Sequence, residues 1–191
     1  MQISELIKNT RSCRRFRQNV PVSQSDLEEM IELARYSGSA RNIQPLLYIT
    51  SNTREMNKRI FPHLGWAGYL KDWPGPAEGE RPAAYIICLA DSELSDDPEH
   101  DLGIATQNIM LAATEKGLAG CRIASISPKL SDEFNLAENL RIMIVLAIGL
   151  PAETIRVSDI SPGESIRYWR DSTGIHHVPK RKTTDIIIGR Y

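Results

Sequence analysis

Residues 101–116 constrain the fold of this chain more than any other stretch. Ile104, Ile109, Leu111, Ala112 and Ala113 spread apolar side chains around much of a helix's girth. A surface helix confines such residues to one stripe, so this one belongs inside a domain or in a subunit interface. Gly117 ends it, because glycine readily adopts the left-handed conformation that closes helices. Short apolar runs of strand length stand around it at 46–50, 83–90, 120–125 and 141–148, the last stopped by Gly149-Leu150-Pro151. Further helices are expected over 3–9, from about 24 to 36 behind a capping box at Ser23 and Asp26, over 53–60, and from 128 to about 136. Residues 185–188 read as a terminal strand, and 152–180 carry little pattern. Strands alternating with helices predict a layered α/β or α+β domain.

A chain of 191 residues suits one domain with a sizeable core. Its net charge of −1 gives no global field for nucleic acid or an anionic membrane, so any anion must be held by local clusters. No apolar run is long enough to span a bilayer, and the first residues show no signal-peptide core, which makes the cytoplasm the expected location. Cys13, Cys88 and Cys121 are odd in number and widely spaced, which argues against a disulfide framework or a zinc site. His176-His177 is read as structural or surface-facing, since adjacent residues of an extended segment point opposite ways. No metal site is expected.

Two basic clusters stand out. Arg11, Arg14, Arg15 and Arg17 crowd one end of the chain, and Lys180-Arg181-Lys182 stand near the other. Guanidinium groups suit phosphate or carboxylate, and Ser12 adds a hydroxyl. The loop 37–45 supplies Ser39, Asn42 and Gln44, uncharged groups that can satisfy a ring edge or a sugar chain. Together these suit a phosphorylated heterocycle with a polyol or ribose linker, provided the fold gathers them; separately, each is a solvated polar turn. Neither the Gly-x-Gly-x-x-Gly dinucleotide fingerprint nor a phosphate-loop motif occurs.

Arg11-Ser12-x-Arg14-x-Phe16, followed by Ser39-Ala40-x-Asn42-x-Gln44-Pro45, resembles the FMN-dependent nitroreductase family. Asp101-Leu102-Gly103-Ile104-Ala105-Thr106-Gln107-Asn108 resembles its central helix, Ile148-Gly149-Leu150-Pro151 its closing strand and turn, and Pro179-Lys180-Arg181-Lys182 its basic tail. The motifs span the whole chain in the family's order; Thr10 and Leu46 depart from the pattern. The resemblance implies a three-layer α+β nitroreductase-like fold, with a central mixed, largely antiparallel sheet flanked by helices. It implies a domain-swapped homodimer holding FMN at the subunit interface. One domain is expected over 1–191, with 61–82 as a variable lid or loop.

By position, the resemblance assigns Arg11 and Ser12 to the phosphate and ribityl chain, with Cys13 in the same segment. Lys180, Arg181 and Lys182 complete the phosphate site, although an extended chain turns Arg181 away from the two lysines. Arg14 is expected near flavin N1 and the C2 carbonyl, where a fixed cation favours the reduced flavin. Ser39, Ala40, Asn42 and Gln44 come from the other subunit, and Ala124 and Ser125 lie near N5. The implied activity passes hydride from NADH or NADPH through flavin N5 to a nitroaromatic, quinone or similar small acceptor, in ping-pong order and without a dedicated acid or base. Other readings are a flavin-binding redox sensor or store, a reductive dehalogenase or flavin-degrading relative, and a phosphate-binding module without flavin. Trp66, Tyr69 and Trp73 either anchor the 61–82 loop or wall a substrate against the flavin.

Overall fold

The computed structural model describes residues 1–191. In chain order the elements are α1 (Ile3–Asn9), α2 (Gln24–Ala34), β1 (Leu46–Ser51), α3 (Arg54–Ile60), β2 (Ala84–Asp91), α4 (Glu99–Glu115), β3 (Ala119–Ile123) and β4 (Leu140–Gly149). There follow β5 (Ile155–Ile160), β6 (Trp169–Arg170), β7 (His176–Arg181) and α5 (Thr183–Ile186), with single 3-10 turns at Ala40–Asn42 and Phe61–His63 and a longer one at Pro128–Glu133. The main sheet has the order β1-β2-β4-β3 and is antiparallel throughout. Its parallel character is limited to an isolated bridge between Ser12 and Gly120. No helix is long and apolar enough to cross a membrane.

The continuous apolar run of β2 is explained by its place in the middle of the sheet, covered on both faces. Ala84, Ile86 and Cys88 join Leu27, Met30, Ile109, Met110 and Leu146 under α2 and α4. The alternate residues Tyr85, Ile87 and Leu89 join Cys13, Phe16, Ile60, Leu130 and Val145 on the opposite face, beside α3. Period-two alternation thus feeds two cores and gives three layers. Each large side chain fully buried here contributes roughly 1.5–3 kcal/mol. All three cysteines are free and sit in these cores, at 0–3% exposure.

Two local devices carry the chain to the site. Gly117, at φ +74°, closes α4: its N–H donates to Thr114 O (3.0 Å) and Leu118 N–H to Ala113 O (2.8 Å), which turns the helix straight into β3. The segment 11–17 is irregular, as expected, but firmly laced. Cys13 N–H donates to Gly120 O (2.9 Å), Phe16 N–H to Glu80 O (2.9 Å) and Arg17 N–H to Leu150 O (2.8 Å). Cys13 and Phe16 are fully buried, so Ser12 and Arg14 face away from that core. Gly120 is glycine for a steric reason, since a Cβ there would stand 2.7 Å from Ala147 O.

The structure departs from the sequence reading in two regions. Residues 152–180 form a second sheet of order β5-β7-β6, with β5 and β7 parallel. β5 is largely exposed, and β7 has one buried and three half-buried residues among histidine, valine, proline and basic side chains, so neither shows the apolar alternation that marks a strand. The expected terminal strand at 185–188 is instead one helical turn, Thr183–Ile186, followed by exposed Ile187 and Ile188. Its backbone groups are met within that turn, Asp185 N–H donating to Lys182 O (3.0 Å) and Ile187 N–H to Thr183 O (3.1 Å), and not by pairing with an edge strand.

Candidate functional site

A cavity of about 360 Å³ opens where the segment 10–14, α4, β3 and β7 meet. From the first comes Thr10, Arg11, Ser12 and Arg14; from α4 and β3 come Gln107, Met110 and Arg122. The third wall is β7, whose inward residues are His176, Val178 and Lys180, the alternate positions of an extended strand. Tyr168 closes it. Arg11 and Lys180 lie at opposite ends of the sequence, yet both line this one cavity.

Its charge is one-sided. Arg11, Arg14, Arg122 and Lys180 contribute cations, no carboxylate lines the walls, and none of the four side chains makes an ion pair within the chain. Glu153, 1% exposed, is the nearby acid, but it is engaged elsewhere, accepting from the Arg14 backbone N–H and pairing with Arg170 at 2.9 Å. Arg11, Arg14 and Arg122 are half-buried and Lys180 is exposed, so the partly desolvated guanidinium groups gain most from a ligand anion. A larger cavity, about 430 Å³, holds Arg54, Lys58 and Arg81 together with Glu78. There Glu78 already pairs with Arg54 (3.5 Å) and Arg81 (2.9 Å), so its demand for an outside anion is weaker.

Arg14 Nη1 donates to His176 Nε2 at 3.2 Å. Arginine cannot accept, so the ring proton of His176 sits on Nδ1, and that atom is buried without a partner in the chain. Burial, and then the neighbouring Arg14 charge, push the His176 pKa down from 6.5 to about 4. The unfolded chain therefore takes up this proton first as the pH falls. Stabilisation from the neutral ring is complete above about pH 6.5 and drains away towards pH 4. The thermal midpoint should drop over that window, and His176→Gln should make the drop shallower; equal slopes in the two proteins would rule out His176 as its source. Tyr168 stacks on this pair, its ring 4.6 Å from the Arg14 guanidinium and 5.2 Å from His176.

Arg122 donates to Thr106 Oγ1 (3.1 Å) and Gln107 Oε1 (2.9 Å), and burial lowers its pKa. His177 points the other way from His176. It meets Asp171 at 2.7 Å and stacks on Trp169 with centroids 4.1 Å apart. The bond to His177, and then that from the Thr173 hydroxyl, hold the Asp171 carboxyl well below its usual range, and it also accepts from the backbone N–H groups of Thr173 and Ile175, which organises the β6–β7 turn.

Of the residues singled out in the sequence, Arg11, Ser12, Arg14 and Lys180 come together here. The Cys13 side chain does not: it lies in the core, its thiol donating to Arg15 O at 3.1 Å and pushed by burial up to about 12. Arg181 faces a separate surface cleft and donates to Asp185 O at 2.5 Å, while Lys182 is exposed at the start of α5. Ala124 and Ser125 are exposed just past β3. Ser39 and Gln44 border a different, small pocket, and the exposed Ala40 and Asn42 belong to the same loop. That loop is pinned by buried Asp101, which accepts from Ser39 Oγ (2.5 Å) and Ala40 N (3.3 Å). Arg41, Asn42 and Gln44 all have left-handed backbone there, with φ of 52–56°, unusual for side chains of this size.

Tyr69 reaches the rim, packing on Tyr168 at 4.9 Å, with its N–H donating to Tyr168 Oη. Trp66 packs on Phe61, and Trp73 lies under Arg170 at 4.6 Å; neither lines the cavity. Sequence reasoning missed Arg122, Gln107, Tyr168 and His176. The i, i+2, i+4 spacing of His176, Val178 and Lys180, and a lone arginine in an apolar strand, were the available signals.

Known proteins match this chain in sequence and in fold. A relative in Methanothermobacter thermautotrophicus, which carries the provisional name NADH dehydrogenase/NAD(P)H nitroreductase, is 30% identical over 170 residues, 84% of this chain and 83% of its own. A nitroreductase family protein from Clostridium difficile 630 superposes with a TM-score of 0.65 at 25% identity, covering 80% of this chain and 86% of that one. An FMN-dependent nitroreductase from Clostridium difficile R20291 shares the fold at a TM-score of 0.63 and 20% identity, over 79% and 88% of the two chains. The sequence profile described as the Nitroreductase family matches residues 7–150, from the last turn of α1 to the end of β4. On that span, the chain belongs to the Nitroreductase family.

Proposed function

We propose that this chain is an FMN-dependent oxidoreductase that passes hydride from NADH or NADPH, through flavin N5, to a nitroaromatic, quinone or similar small acceptor. One observation carries the reading: a cavity walled by four cations and no acid, with a fully buried His176 Nδ1 that lacks a partner. Those groups fit a phosphorylated, ring-bearing ligand, and a family relative is named FMN-dependent. FMN, when bound, supplies the hydride-accepting chemistry.

The residues do the rest. Arg11, Ser12 and Lys180 hold the phosphate through charge-assisted hydrogen bonds. Arg14, fixed by His176 and Tyr168, presents a cation to the pyrimidine edge. The 1–191 chain acts as one domain, and two copies form the working unit. In support, α1 buries none of its residues, Ile104 on α4 is 48% exposed, and Ile186–Ile188 lie open beyond β7. A second copy would cover these faces and bring its 39–44 loop to the flavin, with Tyr69 at the rim of the acceptor's path.

The test is direct. Purified protein should be yellow and should sediment at twice the chain mass. Under nitrogen it should bleach on addition of NADH or NADPH and regain its colour with a nitroaromatic or quinone. Protein that neither carries nor takes up FMN overturns the reading; yellow protein that no nicotinamide bleaches reduces it to a flavin store.

A further inference from the structure

Of the four cations that line the cavity, Arg11, Arg14 and Lys180 are expected from the family motifs, and Arg122 is not. Ser12 bridges Gly120 in parallel register, and Arg14 and Arg122, each two residues beyond that isolated bridge, both line the cavity. Arg14 touches His176, whereas Lys180 lies four residues on along β7, roughly 13 Å away at the rise of an extended strand. Arg14 therefore marks one end, away from Lys180, and Arg122 enters from β3 two residues past the same bridge.

Arg122 is the anomaly. It is the one charged side chain of a strand otherwise made of Ala119, Gly120, Cys121 and Ile123. It is half-buried, has no carboxylate partner, and lines the same cavity as a second guanidinium, that of Arg14. A guanidinium has five N–H donors, and the chain uses two of those of Arg122, on Thr106 and Gln107. The remaining donors are left for the cavity. A charge kept under these conditions points to a negative group in the ligand at this end.

Resting on the flavin reading, we infer that Arg122 acts with Arg14 as a second guanidinium for the pyrimidine end of FMN and makes the site bind reduced FMN more tightly than oxidised FMN. Hydride carries two electrons and one proton, so its uptake leaves one added negative charge on the ring system, and NAD(P)⁺ departs. A fixed cation stabilises that charge more than it stabilises the neutral ring. Arg122 is thus a determinant of the reduction potential as well as a binding group.

The experiment measures two quantities in the parent, Arg122→Gln and Arg122→Lys proteins: the dissociation constant for oxidised FMN, by flavin fluorescence, and the two-electron midpoint potential of the bound flavin. Arg122→Gln should weaken binding of the reduced form about tenfold more than that of the oxidised form, which lowers the potential by about 30 mV. Arg122→Lys should recover most of the shift. An unchanged potential in Arg122→Gln overturns the inference, as does an equal fall in the Lys and Gln variants, which would mark a packing role. Parent protein that binds no FMN overturns the flavin reading itself, and this inference with it.

Discussion

Arg11→Ala/Lys180→Ala protein is expected to purify colourless and to take up added FMN at least a hundredfold more weakly than the parent. Both side chains line the cavity without an internal counter-ion, and they come from opposite ends of the chain. A hydrogen bond to a charged group contributes about 1.5–3 kcal/mol, so losing two costs roughly 3–6 kcal/mol, or two to four orders of magnitude in Kd. Riboflavin, which lacks the phosphate, should bind parent and variant alike. Arg11 also donates to Ile7 O (2.6 Å) and Thr10 O (2.5 Å), so its removal loosens the end of α1. Lys180→Ala alone, which touches no helix end, should still lose about tenfold to a hundredfold by the same arithmetic. Undiminished FMN binding in that single variant would place the phosphate elsewhere.

The largest effect on stability is expected at Glu153. Its carboxylate is 1% exposed, pairs with an Arg170 that is itself 11% exposed, and accepts from the Arg14 backbone. Arg170 in turn lies over Trp73, so this one acid ties together the start of β5, strand β6, the arginine segment and the aromatic loop. Glu153→Ala leaves a buried guanidinium unanswered. Breaking such a pair costs about 3–5 kcal/mol, and at roughly 2–4 °C per kcal/mol for a chain of this size the melting midpoint should fall by about 6–20 °C. Adding Arg170→Met removes the stranded charge, and the double variant should melt above the single one. A single-variant shift under 2 °C would show that the pair is effectively solvated.

What the sequence disclosed, and what it hid, follows from where the information lies. β2 up to Ala90 and β4 from Ile142 on are continuous apolar runs because both faces of the central sheet are covered, and such runs are legible without coordinates. The Ser23 cap was legible too, and its hydroxyl accepts from Asp26 N at 3.0 Å. Arg11, Ser12, Arg14 and Lys180 were legible as clusters of one charge. Arg122 and His176 were not, because their meaning comes from non-local neighbours: Gln107 across one turn of chain, and Arg14 from 162 residues away. The β5–β7 sheet escaped notice because β5 is exposed along most of its length and β7 sets a single valine among histidine, proline and basic residues. The tail at 185–188 has the composition of a strand, yet its backbone closes a helical turn, with Ile187 N–H donating to Thr183 O.

The three cysteines, sealed at 0–3% exposure and with Cys13 and Cys88 pushed up to about 12, have a consequence for electron traffic. Thiol–disulfide relays require a reachable thiolate. With its three thiols out of reach, the oxidoreductase proposed above would exchange reducing equivalents through its cationic cleft and not through its own cysteines. On that reading, oxidants would act on the small molecules that enter the cleft before they act on the polypeptide's sulfur.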